Sequence, residues 1–213
     1  MIRALGWLAV LGLLAGLAAG FGYAPREAVQ GNVQRIMYLH VPSVLTAYLA
    51  FGLVLLGSVA YLATRRAGWD RLAGSAGEIG VLFTGLTLVS GSIWGKPTWG
   101  TWWTWDARLT STAVLFLVYV GYLMLRQLIE DADTRARYAA VVGILGAVNI
   151  PIVHFSVKWW RTLHQPSTIL GPEPAPIDPA IGIALLVNWI AFTLLFAYFL
   201  SRRMEIARLE EQA

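Results

Sequence analysis

Apolar residues fall into six long runs separated by short polar stretches: Ala4 to Tyr23, Pro42 to Ala63, Gly77 to Trp94, Ala107 to Leu125, Tyr138 to Val157, and Pro179 to Leu200. Each is close to the ~20 residues that carry a helix across a hydrocarbon core about 30 Å thick. The pattern predicts an all-α, polytopic integral membrane protein, one domain of six transmembrane helices over residues 1–213. The first run follows Arg3 and ends on small residues at Ala18, Ala19 and Gly20, as a signal peptide would. It is longer than the ~7–15 residues of a signal-peptide core and reads as a retained helix. The fifth run carries Asn149 and Pro151 and is expected to kink, because proline lacks an N–H and crowds the preceding turn.

Composition agrees with the bilayer as solvent. Of 213 residues, 57% are hydrophobic and 13% charged, against about 25% charged in a soluble domain, and the mean hydropathy is +0.62. Six spans use about 120 residues, so the remaining ~93, divided among five loops and two tails, leave no room for a soluble catalytic domain. The net charge of +4 comes from 16 Lys and Arg spread over short loops. They read as topology signals, with no stripe for nucleic acid. The absence of cysteine excludes thiolate nucleophiles, iron–sulfur clusters, Cys-ligated zinc, covalent CxxCH haem attachment and disulfides.

Alternating sides of the membrane receive unequal positive charge. One side holds Arg3, Arg65, Arg66, Arg71, Arg126, Arg135, Arg137, Arg202, Arg203 and Arg208; the other holds Arg26, Arg35, Lys96, Arg108, Lys158 and Arg161. The positive-inside rule places the first set, with both termini, in the cytoplasm. The inner loops, Thr64 to Ala76 and Arg126 to Arg137, carry no recognisable chemistry. Three outer loops follow from this assignment: Ala24 to Val41, Gly95 to Asp106, and Lys158 to Asp178.

Candidate chemistry lies on the outer side. Seven of the ten tryptophans map there: Trp94, Trp99, Trp102, Trp103, Trp105, Trp159 and Trp160. An aromatic belt would be distributed around both interfaces, whereas five of these fall between Trp94 and Trp105. A short interfacial helix over Thr98 to Trp105 would put Trp99, Trp102 and Trp103 on one face, a wall for a large planar apolar ligand. All three histidines are also outer: His40 opens the second span, His164 lies in the third loop, and His154 sits deeper in the fifth span, where hydrogen bonding to a neighbouring helix is the ordinary role. Imidazoles from two different loops, bracketing an aromatic wall, suit axial ligation of haem. Arg35, Lys96, Arg108, Lys158 and Arg161 are near enough in sequence to pair with haem carboxylates, although such side chains also snorkel to headgroups. Asp106 is placed to N-cap the fourth span. No nucleophile, phosphate loop or acid/base pair is present, so an enzyme is not expected.

The stretches Gly31 to Pro42, Trp94 to Ser111 (ending Trp105-Asp106-Ala107-Arg108-Leu109-Thr110-Ser111), and Asn149 to Gln165 with Lys158-Trp159-Trp160-Arg161-Thr162-Leu163-His164-Gln165 resemble the tryptophan-rich WWD haem-handling family of c-type cytochrome biogenesis. The Asp-Ala-Arg-Leu-Thr-Ser continuation is similar to the haem exporter protein C (CcmC) type within it. The resemblance implies six spans in the bacterial inner membrane and haem b held transiently on the periplasmic side, with His40 and His164 as axial ligands beside a tryptophan-rich loop, 95–106. It also implies delivery to a periplasmic haem chaperone of the CcmE type, a single-span CcmD-type subunit, and an ABC transporter pair of CcmA and CcmB types. Two other functions fit the same residues: a bis-His b-type cytochrome, which favours ligands on facing helices, and a haem transporter, which favours polar residues at mid-membrane. The spans offer few of the latter beyond Asn149 and Asn188.

Overall fold

Among the described residues, seven α-helices account for the six predicted crossings: α1 (Ile2–Ala18), α2 (Met37–Thr64), α3 (Ala67–Trp99), α4 (Ala107–Leu128), α5 (Ala132–Ala147), α6 (Asn149–Trp159) and α7 (Pro179–Glu210). A π-helical stretch, Ala19–Tyr23, continues α1, and a 3₁₀ turn, Asn32–Ile36, leads into α2. The computed structural model describes residues 2–165 and 177–212, so part of the expected third loop, 166–176, lies outside the described residues. No strand forms among the described residues, and six helical segments are long and apolar enough to cross a membrane. The chain is a multi-pass membrane protein.

The fifth crossing breaks where proline predicts. Pro151 has no N–H to give the Ala147 carbonyl, and the helix interrupts at Val148 between α5 and α6. Asn149 Nδ2 donates to the Ser111 carbonyl at 2.9 Å, tying the break to α4. In α7, Asn188 Nδ2 donates to the carbonyls of Gly16 (3.0 Å) and Ala184 (2.8 Å), joining α1 to α7. Both amides thus meet the requirement that polar groups in a bilayer find internal partners.

The core lies around α2, which packs against α3, α5 and α7. Phe51 stacks on Tyr119 with ring centroids 3.7 Å apart, and the Tyr119 hydroxyl donates to the Gly143 carbonyl at 3.0 Å. Helix α1 packs mainly on α7 and leaves Trp7, Leu11, Leu14 and Phe21 exposed, a surface suited to acyl chains.

Three expected boundaries are corrected. The loop Thr64 to Ala76 shrinks to Arg65 and Arg66, because α3 starts ten residues before the apolar run. Asp70 in its first turn complements the helix dipole and forms a two-pronged bond to Arg126 of α4, at 2.6 and 2.8 Å. The loop Arg126 to Arg137 shrinks to Ile129 through Asp131, with Asp131 capping α5 through the Thr134 N–H. The interfacial helix over Thr98 to Trp105 does not form. Trp99 is the last residue of α3, and Gly100 takes a positive φ of 78° while its N–H closes on the Lys96 carbonyl. That left-handed C-terminal stop suits glycine and turns residues 101–106 into a non-helical strap. At 33 residues, α3 is about 50 Å long, well beyond a hydrocarbon core of about 30 Å.

Candidate functional site

The tryptophan-bearing end of the bundle encloses a cavity of about 240 Å³ measured at the centre of a water molecule, and about 1590 Å³ of unfilled space including its open mouth. The cavity is open at its mouth and lined mostly by apolar and aromatic side chains with a few polar groups, as ligand sites usually are. Two helix faces build its walls. On α2, Met37, His40, Val44 and Tyr48 recur at helical spacing; on α3, Thr84, Thr87, Gly91, Trp94 and Thr98 do the same. Arg108 and Thr112 of α4, Val153 and His154 of α6, and Leu163, His164 and Gln165 complete the lining.

His40 is not at a wet helix start. The 3₁₀ turn and α2 begin ahead of it, so it stands inside the bundle wall, one turn into α2. Its ring meets Trp94 edge-on at 5.7 Å, and Nδ1 lies 3.1 Å from Ser90 Oγ. Gly91 lets the ring sit against α3: a Cβ there would stand 3.0 Å from His40 Cε1. Trp94 is in turn held by Gln30, whose Oε1 accepts from Trp94 Nε1 at 2.8 Å.

His164 faces the same cavity from the third loop and lies beside Trp99, ring centroids 6.0 Å apart. Its Nδ1 lies 2.9 Å from the Gln165 carbonyl, an acceptor, and 3.3 Å from Arg108 Nη1, a donor. Burial, and then the Arg108 guanidinium, hold the His164 pKa below its ordinary 6.5. The ring is therefore neutral at physiological pH, the state in which imidazole ligates a metal.

Asp106 and Arg108, two residues apart at the start of α4, hold this loop in place. Asp106 Oδ1 caps α4 by accepting from the Leu109 N–H at 2.9 Å, while Oδ2 accepts from the Leu163 N–H at 3.2 Å, next to His164. Arg108 Nη2 donates to the His154 carbonyl at 2.9 Å, and Nη1 lies 3.3 Å from His164 Nδ1.

The structure thus brings together His40, His164, Trp94, Trp99, Trp103 and Arg108 around one cavity. Asp106 sits behind them as a support. Trp102 and Trp105 point outward, 57% and 82% exposed, and Trp105 meets Trp103 edge-on at 5.5 Å. The other four candidate cations lie outside the lining, Lys158 among them with its Nζ 5.7 Å from the Phe155 ring centroid. Arg35 donates to the Gly20 and Ala24 carbonyls at 2.8 and 3.4 Å, closing the end of the first crossing. Lys96 Nζ donates to the Gly100 carbonyl at 3.0 Å, and Arg161 is exposed.

Gln30, Tyr48, Ser90 and Gly91 were not singled out by the sequence reading. The recurrence of small and hydroxyl residues at 84, 87, 91, 95 and 98 marks one face of α3 and is the signal that finds most of that wall. Among the described residues no three His, Asp or Glu side chains cluster as a bare-metal site. Two imidazoles on a large, mostly apolar cavity instead match a metal that brings its own equatorial ligands. Two buried donors of cavity-lining residues, Arg108 Nε and Trp103 Nε1, have no partner among the described residues. Both would serve an anionic edge of such a ligand.

The family model described as "Heme exporter protein C" (CcmC) matches residues 1–213. Proteins named "Heme exporter protein C" are 42% identical in Bradyrhizobium diazoefficiens, over 97% of this chain and 80% of the relative, and 40% identical in Escherichia coli K12, over 93% and 81%. A "Putative cytochrome c biosynthesis ccmC-like mitochondrial protein" of Marchantia polymorpha is 41% identical over 83% of this chain and 71% of its own length. With the family model matching the whole chain and relatives at this identity, the protein belongs to the heme exporter protein C (CcmC) family.

Proposed function

We propose that this chain binds haem b transiently at the tryptophan-bearing end of the bundle and delivers it during maturation of c-type cytochromes. His40 and His164 ligate the iron from two sides. Trp94, Trp99 and Trp103 face the macrocycle, and Arg108 meets a propionate. The observation that carries this reading is the convergence of two histidines, from α2 and from a loop 124 positions on, upon one large apolar cavity. Haem is cargo here and no bond of it is broken, so the protein acts as a binding and presenting component, not an enzyme.

The site faces the periplasm of a bacterial inner membrane, with both termini cytoplasmic, in keeping with the excess of arginine at the opposite end. Trp102 and Trp105, turned outward at the mouth, suit contact with a CcmE-type haem chaperone. A CcmD-type subunit and CcmA- and CcmB-type transporter subunits are the remaining partners that the family implies, with lipid around the spans and no role for nucleic acid. His40, standing on a bundle helix, would equally suit a resident b-type cytochrome; the open mouth with exposed tryptophans favours delivery.

The test is the visible spectrum of the purified protein with haem, for the native chain and for His40→Ala and His164→Ala. Each substitution is expected to lower bound haem and alter the low-spin bands. Unchanged haem content and spectrum in both variants would refute the ligand assignment. Transfer of haem to a purified soluble chaperone domain separates delivery from electron transfer, since a resident haem would stay behind.

A further inference from the structure

We infer that Ser90 is a positioning residue for His40: its hydroxyl fixes the imidazole as the Nδ1-protonated tautomer and leaves Nε2 as the nitrogen with a free lone pair. The inference about iron rests on the ligand reading above; the inference about the tautomer does not.

The argument is a count of protons. Ser90 Oγ has one hydrogen and lies 2.6 Å from the Leu86 carbonyl and 3.3 Å from the Thr87 carbonyl. Carbonyls only accept, so the hydroxyl proton points back along α3 toward them. The remaining contact, 3.1 Å between Ser90 Oγ and His40 Nδ1, then needs its proton from the imidazole. A neutral ring that donates through Nδ1 is unprotonated at Nε2.

His164 differs: its Nδ1 lies between an acceptor, the Gln165 carbonyl at 2.9 Å, and a donor, Arg108 Nη1 at 3.3 Å. Of the two, His40 has Nδ1 engaged by a hydroxyl whose own proton is already committed, which leaves Nε2 free. In metal sites this outer hydrogen bond orients the ring and raises its basicity, and its removal commonly lowers metal affinity about 10–100-fold. Ser90 is also placed to act without obstruction. Gly91, its neighbour on α3, carries no Cβ, and the His40 ring occupies the space that one would fill. The Ser90-Gly91 step is a seat, one residue supplying an acceptor and the next supplying room.

An ordinary role for Ser90, a hydroxyl satisfied by its own helix, predicts no effect on the imidazole. Two measurements separate the alternatives in the full-length protein in lipid nanodiscs. The first is nitrogen-15 NMR of histidine-labelled, haem-free protein; three histidines give few signals, and His40→Ala identifies the one needed. The native chain is expected to show His40 protonated at Nδ1, Ser90→Ala to shift the population toward Nε2, and Ser90→Thr to keep the native tautomer. The second is haem affinity and midpoint potential, with Ser90→Ala expected to bind about 10–100-fold more weakly and at a higher potential, and Ser90→Thr close to native. An Nε2-protonated His40 in the native chain overturns the inference. So does a Ser90→Ala variant with native tautomer and affinity. If His40→Ala itself binds haem normally, the ligand reading fails, while the tautomer measurement still decides the role of Ser90.

Discussion

Asp106 offers a sharp test because its two oxygens hold two different things. Oδ1 caps α4 through the Leu109 N–H, and Oδ2 accepts from the Leu163 N–H beside His164. Asparagine caps a helix about as well as aspartate, so Asp106→Asn keeps the first bond and turns an N–H donor toward Leu163. A hydrogen bond to a charged group contributes ~1.5–3 kcal/mol. This one is exposed and 3.2 Å long, which argues for the bottom of that range, about 1–1.5 kcal/mol. If the bond holds the His164 loop in its binding geometry, haem affinity falls about tenfold, since ~1.4 kcal/mol is a factor of ten. Asp106→Ala also loses the cap, about 1 kcal/mol more, and should lower the melting temperature where Asp106→Asn does not. The assay is a Soret titration of purified protein in nanodiscs, paired with thermal unfolding. Native haem affinity in Asp106→Asn, alongside loss of binding in His164→Ala, would refute the claim that Asp106 positions the loop.

Three other outcomes follow from the packing and charges. Gly91→Val should abolish or greatly weaken haem binding by displacing the His40 ring, at about 1–3 kcal/mol of overpacking, while Gly52→Ala, where a Cβ meets nothing within 4 Å, should bind haem normally; equal titrations would disprove the close fit. At the opposite end, Asp70→Asn weakens the two-pronged bond to the half-buried Arg126 guanidinium and should cost about 1–3 kcal/mol, read as a lower unfolding temperature. The pair Asp70→Leu with Arg126→Met should recover most of that loss. The Thr134 hydroxyl and N–H hold the Asp131 carboxyl below its ordinary 3.8. Its cap therefore stabilises α5 fully above pH 3.8 and fades only as pH falls through the depressed value. Carboxyl NMR should place its midpoint below 3.8, moved upward by Thr134→Val.

Hydropathy located all six crossings because each apolar run must meet lipid along its length. It misplaced the start of α3, since Ala67 to Ala76 contains Trp69, Asp70 and Arg71 among small residues and is held helical by a pairing with Arg126, 56 residues away. Proline at 151 and aspartate at 106 were legible because a kink and a cap are local events. The tryptophan cluster was legible as a platform but not in its form: Gly100 ends the helix at Trp99, so Trp99 and Trp103 reach the cavity from a helix end and a strap, not from one helical face.

The sequence by itself determined the solvent, the number of crossings, the family and the residue types suited to holding haem, because each is a property of composition or of short spacings. The tertiary structure alone decided which of those residues meet. Arg35 and Lys96 turn to backbone carbonyls, while Arg108 turns to the cavity. Ser90 joins His40 across fifty positions, and Gln30 joins Trp94 across sixty-four. Such pairings depend on how helices rotate and cross, and no local spacing records them.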